Sequence, residues 1–277
     1  MVRRDVTASG VRVRVVEDGE GPPLVLLHGL FFDHSTWDGV LPELSDAFRV
    51  IAPDLPGFGE SEKPPANRFP YGIDAFTEAV ADLYAGLDLG RAAVVGHGLG
   101  GAVALTLAVN HPELVTQLVL VDAMSYPAPQ DTRYRIARLP FVGSFMVKQL
   151  WGKTTFRAMY RDLMVSSHAP IDGARIDRYY ESFSTPAARG SALATLRSTV
   201  DTRAVVARVR RVHTDTLIVW GRDDRMYPAG IGQRLAREIP GAGFELMNTG
   251  HAPQEERPHE LASLIRRFLR DERPSRL

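Results

Sequence analysis

Apolar and charged residues alternate over residues 11–16 (VRVRVV), as in an edge strand with one wet face. Residues 24–27 (LVLL) form an unbroken apolar run, which predicts a strand covered on both faces. Residues 50–52 (VIA) repeat that pattern and end at the turn Pro53-Asp54-Leu55-Pro56-Gly57. Between these two runs Ser35 is placed to cap a helix through Trp37, Val40, Leu41 and Leu44. Phe76, Val80, Leu83 and Leu87 share one face of a helix over residues 73–87. A strand and helix follow over residues 92–110, closed by His111-Pro112, and further strands are predicted at 118–121, 216–220 and 244–246. Helical spacing recurs at 230–239 and 259–269. Strands alternating with helices predict an open, mostly parallel α/β sheet.

The strand pattern stops between Asp122 and Thr216. Pro127-Ala128-Pro129 opens a stretch rich in Arg, Tyr, Phe and Met, with helical spacing around 136–160 and 176–209. Roughly 80 to 90 helical residues inserted between two sheet strands predict a lid over the sheet edge. The expected organisation is a core domain of residues 1–123 and 213–277, interrupted by a helical cap of residues 124–212. Residues 270–277 are polar and carry a proline, as a loose tail would.

Composition narrows the partners. With 33 basic and 33 acidic residues the chain has no charge excess to draw it to nucleic acid or an anionic membrane. The N-terminal residues turn polar at once, so no secretory signal is expected, and no apolar run is long enough for a membrane span. The cytoplasm is the default location, and a monomer or homodimer the expected state. The absence of cysteine excludes disulfides, thiolate nucleophiles and cysteine-ligated zinc.

The stretch AAVVGHGLGGAV, residues 92–103, carries two incompatible readings. Gly96, Gly98 and Gly101 spell G-x-G-x-x-G between a strand and a helix, and Asp122 ends the next strand about 20 residues on, where a dinucleotide fold places its ribose-binding acid. The same letters also spell a nucleophile elbow, G-x-S-x-G, with glycine in place of serine. A third reading takes the glycines as close helix–strand packing. Ligands of parallel α/β sheets bind at the carboxyl ends of strands, so the other strand ends decide. These are His28-Gly29-Leu30-Phe31, Asp54-Leu55-Pro56-Gly57-Phe58-Gly59-Glu60-Ser61, Gly221-Arg222-Asp223-Asp224 and Gly250-His251.

In these motifs the chain resembles the α/β-hydrolases, in the lid-bearing branch that holds esterases, cofactor-free haloperoxidases and epoxide hydrolases. The resemblance covers nearly the whole chain, with five motifs in family order. It implies an eight-stranded, mostly parallel sheet flanked by helices, with the cap inserted after the sixth strand and no cofactor. The dinucleotide reading explains one segment and leaves the other four unexplained. The family order of nucleophile, acid and base maps onto Gly98, Asp224 and His251, with the amides of Leu30 and Leu99 as the oxyanion hole. Asp223 and Asp122 are alternative acids, Asp122 more readily structural. His28 is read as a shaper of the oxyanion loop, and Asp54 and Ser61 as holding their turn. Phe31, His97, Met124, Phe141, Phe145, Met146, Trp151 and Tyr160 are candidate pocket residues. His34, His111, His168, His213 and His259 show no ligand spacing with carboxylates, so no metal site is expected.

Gly98 supplies no attacking atom, so neither a serine acyl-enzyme nor the aspartate mechanism of dehalogenases and epoxide hydrolases can run there. The carbon–carbon-cleaving branch often has tryptophan after its histidine, where this chain has Ala252. The reading that results is an enzyme for a small apolar carbonyl compound. It is either a serine hydrolase that has lost its nucleophile or a non-serine enzyme using His–Asp base chemistry, such as water-mediated hydrolysis, elimination, cyclisation or rearrangement. The alternative is a non-catalytic small-ligand binder or receptor using the lidded pocket.

Overall fold

Within the continuous apolar runs, successive side chains still point to opposite faces, and each face has its own helices. Val25, Leu27, Ile51, Val94, Leu118, Leu120 and Ile218 pack into one apolar cluster, while Leu24, Leu26, Val50, Val95, Val119 and Val219 pack into another. The computed structural model describes residues 1–127, 152–167, 169, 172–199 and 201–270. Its eight strands are β1 (Val2–Ala8), β2 (Val11–Asp18), β3 (Pro23–Leu27), β4 (Arg49–Pro53), β5 (Ala92–His97), β6 (Val115–Val121), β7 (Asp215–Gly221) and β8 (Gly243–Met247). They form one sheet in the order β1-β2-β4-β3-β5-β6-β7-β8. β1 and β2 pair antiparallel, β2 is antiparallel to β4, and the strands from β3 to β8 are parallel.

On one face lie α2 (Ile73–Gly86) and α3 (Leu99–Asn110), with Phe76, Val80, Leu83, Val103 and Leu107 in the first cluster. On the other face lie α1 (Leu41–Ser45) and the last helix, whose Leu261, Ile265 and Phe268 join the second. Between β6 and β7 stand α4 (Lys153–Leu163), α5 (Gly173–Ser182), α6 (Pro186–Thr199) and α7 (Arg203–Val209). α8 (Ala229–Glu238) joins β7 to β8, and α9 (Pro253–Glu256) and α10 (Pro258–Leu269) close the chain. Phe156, Tyr160, Tyr179 and Phe183 of the inserted segment belong to the same cluster as the core beneath it. Phe31 meets Phe183 edge-on at 5.5 Å between ring centroids, and Phe32 meets Tyr179 at 5.2 Å.

The structure adds one strand to those read from the pattern and corrects two local expectations. β1 is a strand that the apolar pattern does not single out, because only Val6 and Ala8 of VRRDVTA are buried on this outermost strand. The segment after β3 is not one helix capped by Ser35. A 3₁₀ turn at His34–Trp37 is capped by Asp33, whose carboxylate accepts from the Ser35 amide at 3.0 Å, and α1 starts afresh with Pro42 in its first turn. The helical stretch 176–209 is divided among three helices, α6 opening at Pro186, where proline supplies no N–H. Of the predicted helix at 136–160, residues 136–151 lie outside the described residues.

Candidate active site

Every residue of β5 is buried, and the chain turns at its end into the first residue of α3. Gly98 sits at the turn with φ 52° and ψ −114°, a conformation L side chains adopt only under strain. Backbone bonds pin it: its N–H donates to the Val121 carbonyl at 3.0 Å, and its carbonyl accepts from the amides of Met124 at 2.9 Å, Gly101 at 3.1 Å and Ala102 at 3.3 Å. The flanking glycines serve packing. A Cβ on Gly96 would stand 2.3 Å from the Gly100 carbonyl oxygen, and one on Gly100 would stand 2.3 Å from that of Leu27. Elbow and close packing are thus one arrangement. A Cβ on Gly98 would meet only ordinary contacts, the nearest being His251 Nε2 at 3.4 Å and Gly29 Cα at 3.6 Å.

His251 follows β8 and is 3% exposed. Its Nδ1 lies 2.8 Å from Asp224 Oδ2, and Asp224 Oδ1 accepts the amides of Met226 at 2.7 Å and Tyr227 at 2.8 Å. With one oxygen tied to backbone and the other to imidazole, Asp224 fixes the ring so that Nε2 faces the elbow. Asp223 is exposed, whereas Asp122 is buried close behind Asp224. The structure therefore brings Gly98, Asp224 and His251 together from strand ends far apart in sequence.

The loop after β3 forms the opposite wall. His28 Nδ1 bonds the Gly29 carbonyl at 2.8 Å, and its Nε2 accepts the Leu55 amide at 2.9 Å. Complete burial pushes its pKa down, so the neutral ring shapes the loop. Phe31 holds φ 67° at the loop tip. Among the described residues no acceptor takes the amide of Leu30 or of Leu99. Ser61 Oγ donates to the Asp54 carbonyl at 2.6 Å, and Asp54 Oδ2 accepts the Glu60 amide at 2.7 Å, which holds the neighbouring turn.

Among the candidate pocket residues, Phe31, Met124 and Tyr160 are buried in one apolar cluster with Leu99 of the elbow. Phe141, Phe145, Met146 and Trp151 lie outside the described residues. His97 is a correction. Its ring lies behind the elbow, with Nε2 bonded to the His251 carbonyl at 2.7 Å and Nδ1 accepting from Gln254 Nε2 at 3.2 Å. Burial, and then the charge His251 can carry, hold its pKa well below the ordinary range, so it is a neutral strut for the histidine loop.

Sequence reasoning missed the polar network on the far side of that loop. Gln254 donates to Thr36, which donates to Glu255 Oε1 at 2.7 Å, and Tyr179 of α5 donates to the same oxygen at 2.5 Å. Arg175, also on α5, forms an ion pair with Glu255 at 2.5 Å. Glu256 accepts from Ser166 Oγ at 2.6 Å and from the Gly250 amide at 2.6 Å. Two consecutive glutamates thus fasten the helical segment between β6 and β7 to the loop that carries His251. An apolar pattern holds no trace of partners about 80 residues away, and the only local sign is a paired acid beside a strand-end histidine.

The spacing argument on the other histidines also needs correction. His34 Nδ1 is 2.8 Å from Asp54 Oδ1, His111 Nε2 is 3.1 Å from Glu78, and His259 pairs with Glu43. Asp33, His34 and Asp54 group potential ligand atoms, but hydrogen bonds within the protein already engage them. Burial opposes charge on His34, yet the hydrogen bond and charge of Asp54 prevail and raise its pKa. His168 lies outside the described residues.

The model of the alpha/beta hydrolase family matches residues 24–264. The chain belongs to the α/β-hydrolase family. It is 29% identical to the 2-hydroxymuconate semialdehyde hydrolase of Pseudomonas sp. strain CF600, over 97% of this chain and 94% of that protein. Among solved structures it resembles a serine hydrolase involved in carbazole degradation (CarC), with a TM-score of 0.81, 27% identity and coverage of 97% and 98% of the two chains. An esterase from Thermogutta terrifontis gives a TM-score of 0.83 at 25% identity, covering 98% of this chain and 99% of that one. This α/β-hydrolase carries the fold and motif order of a family whose members here are hydrolases, with Gly98 at the turn that opens α3. No described helix is long and apolar enough to cross a membrane.

Proposed function

We propose that this α/β-hydrolase cleaves a small, apolar ester or lactone with water as the nucleophile and His251 as general base. The observation that carries the reading is the placement of His251. Its Nδ1 is held by Asp224, and its Nε2 faces the open place at Gly98, 3.4 Å from where a Cβ would stand. In the proposed step Nε2 takes a proton from water as the water oxygen bonds to the substrate carbonyl carbon. The carbonyl electron pair moves onto oxygen, and the charge is received by the Leu30 and Leu99 amides at the positive end of α3. The tetrahedral species then collapses, the carbon–oxygen bond breaks, and the leaving oxygen takes the proton back from Nε2. Atoms and charge balance without a covalent enzyme intermediate.

In an established serine protease, loss of the serine lowers turnover on the order of 10⁶-fold, while roughly 10³–10⁴ over water remains from the oxyanion hole and binding. The proposed chemistry falls in that residual range, so activated esters are its natural substrates. Ala252, where the carbon–carbon-cleaving branch often has tryptophan, directs the proposal to carbon–oxygen bonds, although a 2-hydroxymuconate semialdehyde hydrolase is among the relatives. The buried aromatic rings of Phe31, Phe156, Tyr160 and Phe183 support an apolar substrate. The test is His251→Ala on an aryl acetate or aryl lactone. Turnover should fall on the order of 10²–10⁴-fold with KM little changed. An unchanged rate removes His251 as the base and the proposal with it. The same geometry favours a second reading, a serine hydrolase whose elbow has lost its nucleophile, because a side chain at position 98 would point at Nε2.

A further inference from the structure

Asp122 is fully buried at the end of β6, where φ is 42°. Its Oδ1 accepts the Gly221 amide at 2.8 Å, but its Oδ2 is buried without any hydrogen-bond partner. One carboxylate oxygen each of Asp122 and Asp224 and one ring nitrogen of His251 lie within 4.8 Å of one another. Two carboxylates confined to so small a buried space cannot both be ionised at modest cost, and of the two only Asp224 has donors for both oxygens. An anionic Asp122 would leave Oδ2 without a donor, whereas a protonated Asp122 turns that oxygen into a donor facing an anion.

We propose that Asp122 is a positioning residue of the dyad, a buried carboxylic acid whose proton lies between it and Asp224. The proton adds a donor to the pair, so Asp224 keeps its charge and its alignment on His251 although it is sealed from water. The ionisable groups facing Asp122 are Asp224 after β7, His251 after β8 and, more remotely, Glu256 of α9; no lysine or arginine pairs with it among the described residues. Burial first, and then the charge of Asp224, drive the pKa of Asp122 well above the carboxylate range, in keeping with this assignment. The proposal rests on Asp224 and His251 forming the working dyad, but its test needs no turnover, so the two ideas fail separately.

The experiment is infrared difference spectroscopy of the whole protein in H₂O and D₂O across neutral pH. Wild type minus Asp122→Asn should show the carbonyl stretch of a protonated carboxylic acid, shifted by deuteration. In Asp224→Asn, where Asp122 is intact, the midpoint at which this band disappears should fall by about one unit or more, because the like charge is gone. In either variant the Asn oxygen or the native Asp122 Oδ1 still has the Gly221 amide, and far-UV circular dichroism checks the fold. Hydrolysis supplies a further readout: Asp122→Asn retains an N–H donor toward Asp224 and should keep far more activity than Asp122→Ala, whose loss should be on the order of tenfold. No band in the difference spectrum, or a midpoint unmoved in Asp224→Asn, overturns the proposal.

Discussion

Arg175→Met should loosen α5 from the loop that carries His251 in a manner that depends on pH. Arg175 carries the positive charge of the ion pair with Glu255, and their side chains are 23% and 7% exposed. Burial raises the pKa of Glu255, only partly offset by Arg175, Tyr179 and Thr36. Methionine keeps the aliphatic stem but removes the cation, while the hydroxyls of Tyr179 and Thr36 still donate to Oε1. Breaking a buried pair costs about 3–5 kcal/mol when no other donor remains, so about 2–3 kcal/mol is expected here at alkaline pH. The sign follows from linkage. A carboxyl whose folded pKa is raised contributes stability below its unfolded pKa and loses it as pH rises through the folded value. Without Arg175 that folded value rises further, so the deficit of the variant should grow with pH. The deficit should therefore be wider at about pH 8 than at about pH 5. Differential scanning calorimetry at both pH values should show Tm lowered by about 4–8 °C at the higher pH and clearly less at the lower. Glu255→Gln added to Arg175→Met should recover part of the loss and flatten its pH dependence. Equal destabilisation at both pH values, or none, refutes the reasoning.

Other consequences are more direct. Asp224→Asn should lower turnover on the order of 10⁴-fold in steady-state hydrolysis, since asparagine favours the wrong imidazole tautomer; a fall of less than tenfold would remove Asp224 from the dyad. Gly100→Ala should destabilise by about 1–3 kcal/mol or more in chemical denaturation, because its Cβ would meet the Leu27 carbonyl oxygen at 2.3 Å and backbone cannot yield as a side-chain end can; a neutral effect would mean that α3 has room to move off the sheet. Aryl and short-chain apolar esters should outcompete phosphorylated ones in kcat/KM, and saturable binding of a polyanion at the site would contradict the proposed apolar substrate.

Much of this arrangement is legible in the chain. The paired apolar runs at 24–27 and 118–121 announce strands buried on both faces, and a strand-end residue is a candidate for chemistry wherever strands are parallel. Together with the nucleophile, acid and base order that the family resemblance implies, this singles out Gly98, Asp224 and His251, and the structure brings them together from the ends of β5, β7 and β8, with β6 between the first two. β1 is hidden from an apolar pattern because this outermost strand buries only Val6 and Ala8. His97 is ambiguous in sequence because a residue beside an elbow can face the pocket or the core, and only tertiary contact with the His251 carbonyl decides between them. The Arg175–Glu255 clasp and the Asp122–Asp224 pair lie between elements remote in sequence. Periodicity registers apolar faces and carries no information on which polar groups meet across them.

The most direct test of the central claim is Gly98→Ser. The elbow holds φ 52°, so a serine is strained there, but its Cβ would meet no atom nearer than His251 Nε2 at 3.4 Å. Water-mediated catalysis by an oriented dyad predicts measurable hydrolysis of an activated aryl ester by the glycine protein, abolished by His251→Ala, with no covalent labelling by a fluorophosphonate at position 98. It further predicts that the serine form gains little, because the hydroxyl fills the place of the attacking water. A gain on the order of 10²-fold or more, together with labelling of the introduced serine and no His251-dependent activity in the glycine protein, would contradict that account and identify an elbow that has only lost its nucleophile.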